Sequence, residues 1–294
     1  MTVTPAAAMD PGDTSNHVAF YFSPHEDDWQ LFMNPSAFRD VVDGVKVVFI
    51  HVTAGDNGLA TGNGGRKHPY YLAREHGAEL AIRFMADSGD YPAPADAVAA
   101  QQIINNGPIR RLSYRNTAAY FLRLPDGNPQ GTGYPGTGHQ SLARLADAQI
   151  GTLTAIDGTR TYRGWSDLVA TLRALIEFER GGAGSIHLHV PELEPAVNPD
   201  DHSDHRFTAK AALDAAADLG NARIIHHVGY ASATRPENLA GYDRDMKCAV
   251  YAVTLAGVTA FDHATAWQHY DRMFIARDYC RVEDAPTGPL SRSP

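Results

Sequence analysis

Two short clusters of histidines and carboxylates carry the chemistry that this sequence suggests. Residues 25–29 read His-Glu-Asp-Asp-Trp and follow directly on a strand-like apolar run, residues 18–22. Residues 201–205 read Asp-His-Ser-Asp-His and precede an alanine-rich stretch with helical character. Imidazole nitrogens and carboxylate oxygens are common ligands of catalytic divalent ions. Together the two clusters indicate metal-assisted hydrolysis.

The spacing within the first cluster suits a metal site. Residues three apart are neighbours on a helix surface, so Asp28 in a first helical turn would face the same side as His25. One histidine of the second cluster, for which we choose His205, would complete a ligand set of two nitrogens and one oxygen. Such a set leaves a position for water, as catalytic zinc sites do. The residual positive charge lowers the pKa of bound water and polarises a carbonyl oxygen.

Three more residues of the clusters are predicted to be catalytic. Asp27 is adjacent to a ligand and would be the general base that deprotonates the water. His202 would contact the oxyanion of the tetrahedral intermediate or protonate the leaving amine. Asp204 would orient an imidazole, as carboxylates beside metal-binding histidines do.

Both clusters also have purely structural interpretations. Residues 25–28 could be an acidic N-cap and first turn that stabilise a helix through its dipole. Residues 202–205 could be solvated polar residues that cap the alanine-rich helix. The position of the clusters favours a site, because each falls just after a predicted parallel strand. Ligands bind in the crevice at the carboxyl ends of such strands.

The elements around the clusters alternate between strands and helices. The long middle segment, residues 124–141, has no periodicity and is expected to be a lid or a substrate wall. Residues 114–124 resemble one or two strands. The alternation predicts an α/β fold, Rossmann-like, with three αβα layers and a mostly parallel sheet. Strands are expected at about 17–23, 45–52, 185–190 and 222–230. A first helix is expected through Leu31 to Val42, with an interruption at 34–36. Further helices are expected at about 69–86, 165–180, 205–219 and 242–255.

Length and composition bound the organisation of the chain. With 294 residues and 44% hydrophobic content, one substantial core can be buried. We expect a disordered lead-in over residues 1–16, a single domain over 17–283 and a loose tail over 284–294. Two cysteines cannot make a disulfide framework or a cysteine-based zinc site.

Charge and hydropathy exclude several classes of partner. The net charge of −9 is not offset by any Lys/Arg-rich run, so a nucleic-acid partner is not expected. No stretch approaches the roughly 20 apolar residues that span a bilayer, so we expect no membrane partner and a cytoplasmic protein. The expected substrate is a small neutral or cationic molecule.

The two clusters resemble motifs of a known family, the PIG-L/LmbE-like zinc-dependent N-deacetylases, which act on N-acetylglucosamine conjugates and related amides. The family's first motif, His-Pro-Asp-Asp-Glu after the first strand, resembles residues 25–29. Its second motif, His-x-Asp-His at a helix start, is matched by residues 202–205. Residues 50–56 resemble its second strand and turn, and residues 73–81 its Arg-Glu helix. The resemblance covers about residues 17–230.

The resemblance implies the same roles that the spacing suggests: His25, Asp28 and His205 bind the metal, Asp27 is the base, and His202 stabilises the oxyanion or acts as an acid. Two positions depart from the family motif. Glu26 stands where proline is usual, and Trp29 stands where glutamate is usual. The second departure removes a carboxylate close to the metal, so substrate preference and retained activity stay open. Residues 124–141 have no clear family counterpart.

Substrate contacts are predicted at Arg74, Trp29 and Asp56. Trp29 could stack on a sugar ring together with tyrosines of the chain. Arg74 could contact substrate hydroxyls, although an exposed ion pair with Glu75 or Glu79 is an equal alternative. Asp56 belongs to the turn signal that ends the second predicted strand.

The expected function is metal-dependent hydrolysis that removes an acetyl or other small acyl group from an N-acylated amine. The amine would belong to an N-acetylglucosamine-type sugar or conjugate. The expected cofactor is Zn²⁺, with Fe²⁺ or another divalent ion as alternatives. The expected partner is a small-molecule N-acylated substrate, and a homo-oligomer is compatible with the sequence. Two alternatives stay open: a hydrolase of a non-sugar amide in specialised metabolism, and a catalytically impaired sugar-binding relative.

Overall fold

A computed structural model describes residues 4–5, 16–89, 95–265 and 267–284. Over these residues the chain forms a nine-stranded sheet in the order β1-β11-β10-β9-β2-β3-β6-β5-β4 and a separate two-stranded ribbon, β7-β8. The strands are β1 (Thr4–Pro5), β2 (His17–Ser23), β3 (Lys46–Thr53), β4 (Val98–Ile104), β5 (Gly107–Tyr114), β6 (Thr117–Leu124), β7 (Thr152–Thr154), β8 (Thr161–Arg163), β9 (Ser185–Pro191), β10 (Ala222–His227) and β11 (Tyr279–Asp284).

The helices cover both faces of the sheet. They are α1 (Asp28–Phe32), α2 (Ser36–Val42), α3 (Tyr70–Asp87), α4 (Leu142–Ala146), α5 (Gly164–Arg180), α6 (Ser203–Ala216), α7 (Gly241–Ala260) and α8 (Trp267–Phe274). Helices α4, α5 and α6 share one apolar core with the sheet, while α1, α2, α3, α7 and α8 share the other. The predicted three-layer α/β fold is confirmed.

The central strands are apolar on both faces, which is why they sit between two helical layers. Phe20 and Phe22 of β2 point to the core of α4–α6, whereas Ala19 and Tyr21 point to the opposite core. All four side chains are buried. Continuous apolar runs of this kind are typical of parallel strands covered on both faces.

The sheet is parallel at its centre and antiparallel at both edges. Strands β10, β9, β2, β3 and β6 run parallel, whereas β5, β4, β11 and β1 are added antiparallel. Residues 107–124, predicted only as one or two strands in their second half, form the β5–β6 hairpin. Strands β4 and β11 were not predicted. Thr4–Pro5, inside the predicted lead-in, pairs with β11. Residues 1–3 and 6–15 of that lead-in and residues 285–294 of the predicted tail lie outside the described residues.

The strand order places a crevice at the centre of the sheet. From β2 the chain continues on one side to β3, whereas β9, its neighbour on the other side, belongs to the second half of the chain. Connections therefore diverge at the carboxyl ends of β2 and β9, where open α/β sheets bind ligands. Within the described ranges, no helix combines the length and apolar character needed to cross a membrane.

Candidate metal centre

The two clusters predicted from sequence meet at this crevice. His25 Nδ1 lies 3.0 Å from Asp28 Oδ2, and His205 Nε2 lies 3.3 Å from the same oxygen. One potential ligand atom of each of these three buried residues lies within 4.8 Å of the others. Around an ion with bonds of about 2.0–2.1 Å, tetrahedral ligand atoms are roughly 3.4 Å apart. The spacing therefore fits one divalent ion.

The turn between β2 and α1 orients the first two of these residues. The backbone N–H of His25 donates to Asp28 Oδ2 over 2.7 Å, which holds the carboxylate against the turn. Ser23, the last residue of β2, donates its hydroxyl to the His25 carbonyl and accepts the N–H of Trp29 at 3.2 Å. His25 and Asp28 therefore face the same side of the turn, as their spacing predicts.

A carboxylate contacts the outward nitrogen of each histidine. Asp204 Oδ2 lies 3.3 Å from His25 Nε2, and the two oxygens of Asp201 lie 3.0 and 3.1 Å from His205 Nδ1. Carboxylates in this position fix the ring orientation and the tautomer of metal-binding histidines. Asp204 therefore lies where an orienting group was predicted, and Asp201, which was not predicted, makes the same kind of contact with His205.

The electrostatics of the cluster favour positive charge at its centre. Burial opposes ionisation of Asp28, but His205 and His25 outweigh it and hold the pKa of Asp28 well below its usual value. Burial lowers the pKa of His205, but the carboxylates of Asp201 and Asp28 raise it to about 10. His205 Nε2 is buried and has no hydrogen-bond partner among the described residues. The pocket thus stabilises positive charge next to Asp28, and a divalent ion that displaces the proton of His205 Nε2 would supply that charge.

His202 is a neutral imidazole at the edge of this centre. It is the N-cap of α6, where its Nδ1 accepts the backbone N–H of Asp204 at 3.1 Å. Burial, followed by the nearby His25 and His205, lowers the pKa of His202 to about 3. A neutral ring with an accepting Nδ1 carries its hydrogen on Nε2. His202 therefore presents a hydrogen-bond donor to the cavity that it lines.

Asp27 lies on the cavity side of the same turn and is held by Arg74. Arg74 Nη2 pairs with Asp27 Oδ1, Nη1 donates to the Gly55 carbonyl at 3.1 Å, and Nε lies 3.1 Å from Glu26 Oε2. The alternative that Arg74 pairs with Glu75 or Glu79 is therefore wrong. Those two carboxylates bind Arg110, and Glu75 also binds Arg123.

The cavity in front of the cluster has a volume of about 280 Å³. Its walls combine carboxylates, one arginine and four tyrosine rings. The lining residues are His25, Asp27, Asp28, Leu31, Asn57, Tyr70, Arg74, Asp126, Pro129, Tyr134, His202, Tyr230 and Tyr270. Residues 126–134 belong to the segment predicted as a lid or substrate wall, and three of them line the cavity.

Asp126 is a site residue that the sequence analysis missed. Its Oδ1 lies 3.9 Å from His202 Nε2, and its carboxylate accepts the backbone N–H groups of Asn57 and Asn128. The signal that could have found it is its position two residues after β6, at the same sheet edge as His25. Asp126 and His202, with His25 and Asp204, also form a second group of ligand-type atoms within 4.8 Å of one another.

Two predicted substrate contacts lie elsewhere. Trp29 is fully buried, packs against Phe49 and donates its Nε1–H to His51 Nε2 at 3.2 Å. Asp56 is fully buried and accepts the backbone N–H groups of Ala60 and Asp126. Neither side chain lines the cavity. The predicted substrate contacts of Trp29 and Asp56 are therefore wrong. Trp29 is a core residue, because the residue after Asp28 points back into the protein. Asp56 holds the loops around the site through its hydrogen bonds to backbone N–H groups. Arg74 does line the cavity.

No family model and no curated protein matches the chain. The solved structures to which it is similar include deacetylases of the LmbE/PIG-L type. The N,N'-diacetylchitobiose deacetylase of Pyrococcus horikoshii, in complex with an inhibitor, covers 89% of this chain and 76% of its own, at 14% identity and a TM-score of 0.48.

Two other solved structures are similar at the same level. The A40926 pseudoaglycone deacetylase covers 92% of this chain and 97% of its own, at 16% identity and a TM-score of 0.47. The zinc-inhibited form of a teicoplanin deacetylase covers 92% of this chain and 99% of its own, at 14% identity and a TM-score of 0.44. With similarity this distant, an activity for the present chain depends on its own residues.

Proposed function

We propose that this chain is a metal-dependent hydrolase that removes an acetyl or other small acyl group from an N-acylated amine. The observation that carries the proposal is the convergence of five side chains at one crevice. One ligand-type atom each of His25, Asp28 and His205 lies within 4.8 Å of the others. Asp27 and His202 line the cavity in front of them, together with His25 and Asp28. Amide hydrolysis needs a positioned base and an oxyanion donor in addition to a Lewis acid.

The metal would be held by His25 Nδ1, Asp28 Oδ2 and His205 Nε2. A divalent ion there, zinc in our proposal, would polarise the amide carbonyl and lower the pKa of a coordinated water. A ligand set of two nitrogens and one oxygen also accepts iron and other divalent ions. Asp204 and Asp201 keep the two imidazoles aimed at the ion through their outward nitrogens.

Asp27 is the proposed general base. Arg74 engages its Oδ1, so the carboxylate is fixed in direction while Oδ2 is left to accept a proton from the attacking water. His202 donates its Nε2–H to the oxyanion that forms on the carbonyl oxygen. Because burial keeps the ring neutral, this donor is present at physiological pH. The proton taken up by Asp27 is then available to the departing amine.

The residues that line the cavity favour a small polar substrate with flat faces. Four tyrosine rings, Tyr70, Tyr134, Tyr230 and Tyr270, could pack against a sugar ring or another flat group, and Asp126 could accept its hydroxyl or amine hydrogens. Three carboxylates in the walls against one arginine disfavour an anionic substrate. We therefore propose an N-acetylglucosamine-type sugar or conjugate. Asp126, Pro129 and Tyr134 come from the long segment that has no clear counterpart in the family, and this wall favours a non-sugar amide as a second candidate.

The function is tested with a panel of N-acylated amines. The purified protein, loaded with Zn²⁺ or Fe²⁺, is incubated with N-acetylglucosamine conjugates and non-sugar acetamides, and release of free amine is measured. We expect turnover that is lost on chelation, and a loss of about 10²–10⁴-fold in Asp27→Ala with the metal retained. Near-normal turnover of the metal-loaded variant would eliminate the base. A metal-loaded wild-type protein that binds sugars but hydrolyses nothing would instead identify a binding protein.

A further inference from the structure

Glu26 is a buried carboxyl group for which the proposed reaction has no use. In the sequence it lies between the proposed ligand His25 and the proposed base Asp27, at the position where the family motif has proline. The residue is 1% exposed. Its Oε2 is buried, and the contact that it makes is an ion pair with Arg74 Nε at 3.1 Å.

Arg74 is held on three sides, and Glu26 is one of them. The guanidinium faces Glu26 with Nε, the Gly55 carbonyl with Nη1 and Asp27 with Nη2. Gly55 has φ +47°, and a Cβ added there would lie 2.8 Å from Arg74 Cζ and 2.9 Å from Glu26 Oε2. The backbone turn is thus packed directly against the Glu26–Arg74 pair.

A small cavity lies beside the contact between Glu26 and Arg74. Glu26, Asp27 and Arg74 also line a second, smaller cavity, whose remaining walls come from Tyr70, α7 and residues 264–265. A guanidinium released at Nε could rotate toward that space and withdraw Nη2 from Asp27. A misplacement of about 1 Å in a catalytic group can cost on the order of 10²-fold in rate.

We propose that Glu26 is a positioning residue: its carboxyl oxygen holds the Nε edge of Arg74, so that Arg74 keeps Asp27 directed at the reacting water. The inference rests on the proposed function, because it assigns Glu26 a part in the action of Asp27. Glu26 acts as an acceptor, and an amide oxygen at the same place can replace it. An apolar side chain of similar size cannot, since it leaves Nε buried without a partner.

The test compares Glu26→Leu with Glu26→Gln. We expect Glu26→Leu to lower kcat about 10- to 100-fold with KM changed less than about twofold and the metal content unchanged. Glu26→Gln should restore kcat to within about threefold of wild type. Equal kcat values for Glu26→Leu and wild type would overturn the proposal, and so would a Gln variant as impaired as the Leu variant.

Glu75→Leu is the matched control for loss of a buried carboxylate. Glu75 is 2% exposed, follows Arg74 in α3 and pairs with Arg123 away from the cavity. Its replacement should lower the melting temperature without changing kcat of the folded protein. If Glu75→Leu and Glu26→Leu lower kcat alike, the effect is general destabilisation and the proposal fails.

Two measurements separate this inference from the proposed function. In a protein that already carries Asp27→Ala, adding Glu26→Leu should cause no further loss, and an additive loss would contradict action through Asp27. Independently of activity, the ¹⁵N-detected Arg74 Nε–H signal, assigned by its disappearance in Arg74→Lys, should exchange slowly in wild type and Glu26→Gln and rapidly in Glu26→Leu. If this exchange pattern is found but no amide is hydrolysed, the proposed function is refuted and the Glu26–Arg74 contact is not. If the exchange rate in Glu26→Leu equals that of wild type, the Glu26–Arg74 contact is refuted.

Discussion

His205 Nε2 lies 3.3 Å from Asp28 Oδ2, although the two residues follow different strands in different halves of the chain. Asp28 begins α1 directly after β2, and His205 lies in the first turn of α6, which follows β9. Because β2 and β9 are parallel neighbours, their carboxyl ends bring these helix starts together. The proposed metal centre is thus a consequence of strand order, and each of its residues can be tested.

Replacement of His205 should abolish stabilisation by metal. A ligand that binds only the folded state stabilises it by about 4 kcal/mol at 1,000 times its dissociation constant. We therefore expect Zn²⁺ to raise the melting temperature of wild type and not that of His205→Ala. His76→Ala, at a histidine of α3 that stacks on Phe261, is the control and should keep the shift. An undiminished shift in His205→Ala would remove this residue from the ligand set.

His202→Asn should lower kcat while leaving the fold and the metal in place. Asparagine can still cap α6 by accepting the Asp204 N–H, but it is too short to carry a donor to the position of Nε2. Loss of one oxyanion donor costs about 10²–10³-fold in kcat. Steady-state kinetics on metal-loaded protein provide the measurement. An unchanged kcat would show that the oxyanion is stabilised by other groups.

Trp29→Phe should lower stability without altering substrate affinity. The change leaves the buried His51 Nε2 without its donor, and an unpartnered buried acceptor costs about 1–3 kcal/mol. Chemical denaturation should therefore show a smaller free energy of unfolding, while KM stays within about twofold of wild type. A large rise in KM at normal stability would return Trp29 to the substrate site.

Asp40→Asn should stabilise the protein above pH 6. Burial raises the pKa of Asp40 to about 6, against about 3.9 in an unfolded chain, although the hydroxyl of Tyr21 donates to it at 2.6 Å. A raised pKa means that this carboxyl lowers wild-type stability as the pH rises from about 4 to 6. Asparagine keeps the acceptor and does not ionise.

The expected gain is about 1–2 kcal/mol at pH 7–8, discounted because the Asp40 side chain is 21% exposed. It should shrink below pH 6 and vanish toward pH 3, where the wild-type carboxyl is protonated in both states. Urea unfolding of both proteins across this pH range measures it. A pH-independent difference between the two would contradict the assigned pKa.

Sequence spacing was informative wherever the structure is local. The separation of His25 and Asp28 predicted a shared face in one turn, and the turn has that geometry. The apolar runs predicted the central strands because residues covered on both faces must be apolar throughout. Because both clusters follow predicted parallel strands, whose carboxyl ends meet at one edge of the sheet, the sequence also predicted that His205 lies at the crevice.

The site residues that were missed or given the wrong contacts depend on long-range packing. Asp126 lies in a segment without periodicity, and its place in the site follows from β6 pairing in parallel with β3, which the order of elements did not reveal. Arg74 reaches Glu26 and Asp27 rather than its helix neighbours because α3 packs beside the turn at Gly55. Trp29 turned inward because the preceding residue, Asp28, already faces the cavity.

The central claim is that one divalent ion is held jointly by His25, Asp28 and His205. Anomalous diffraction at the zinc absorption edge, from crystals of the protein grown with one equivalent of Zn²⁺, tests it most directly. We predict a single strong peak about 2.0–2.2 Å from His25 Nδ1, Asp28 Oδ2 and His205 Nε2. A peak held instead by Asp126, His202 and Asp204, or no peak near His205, would contradict the account.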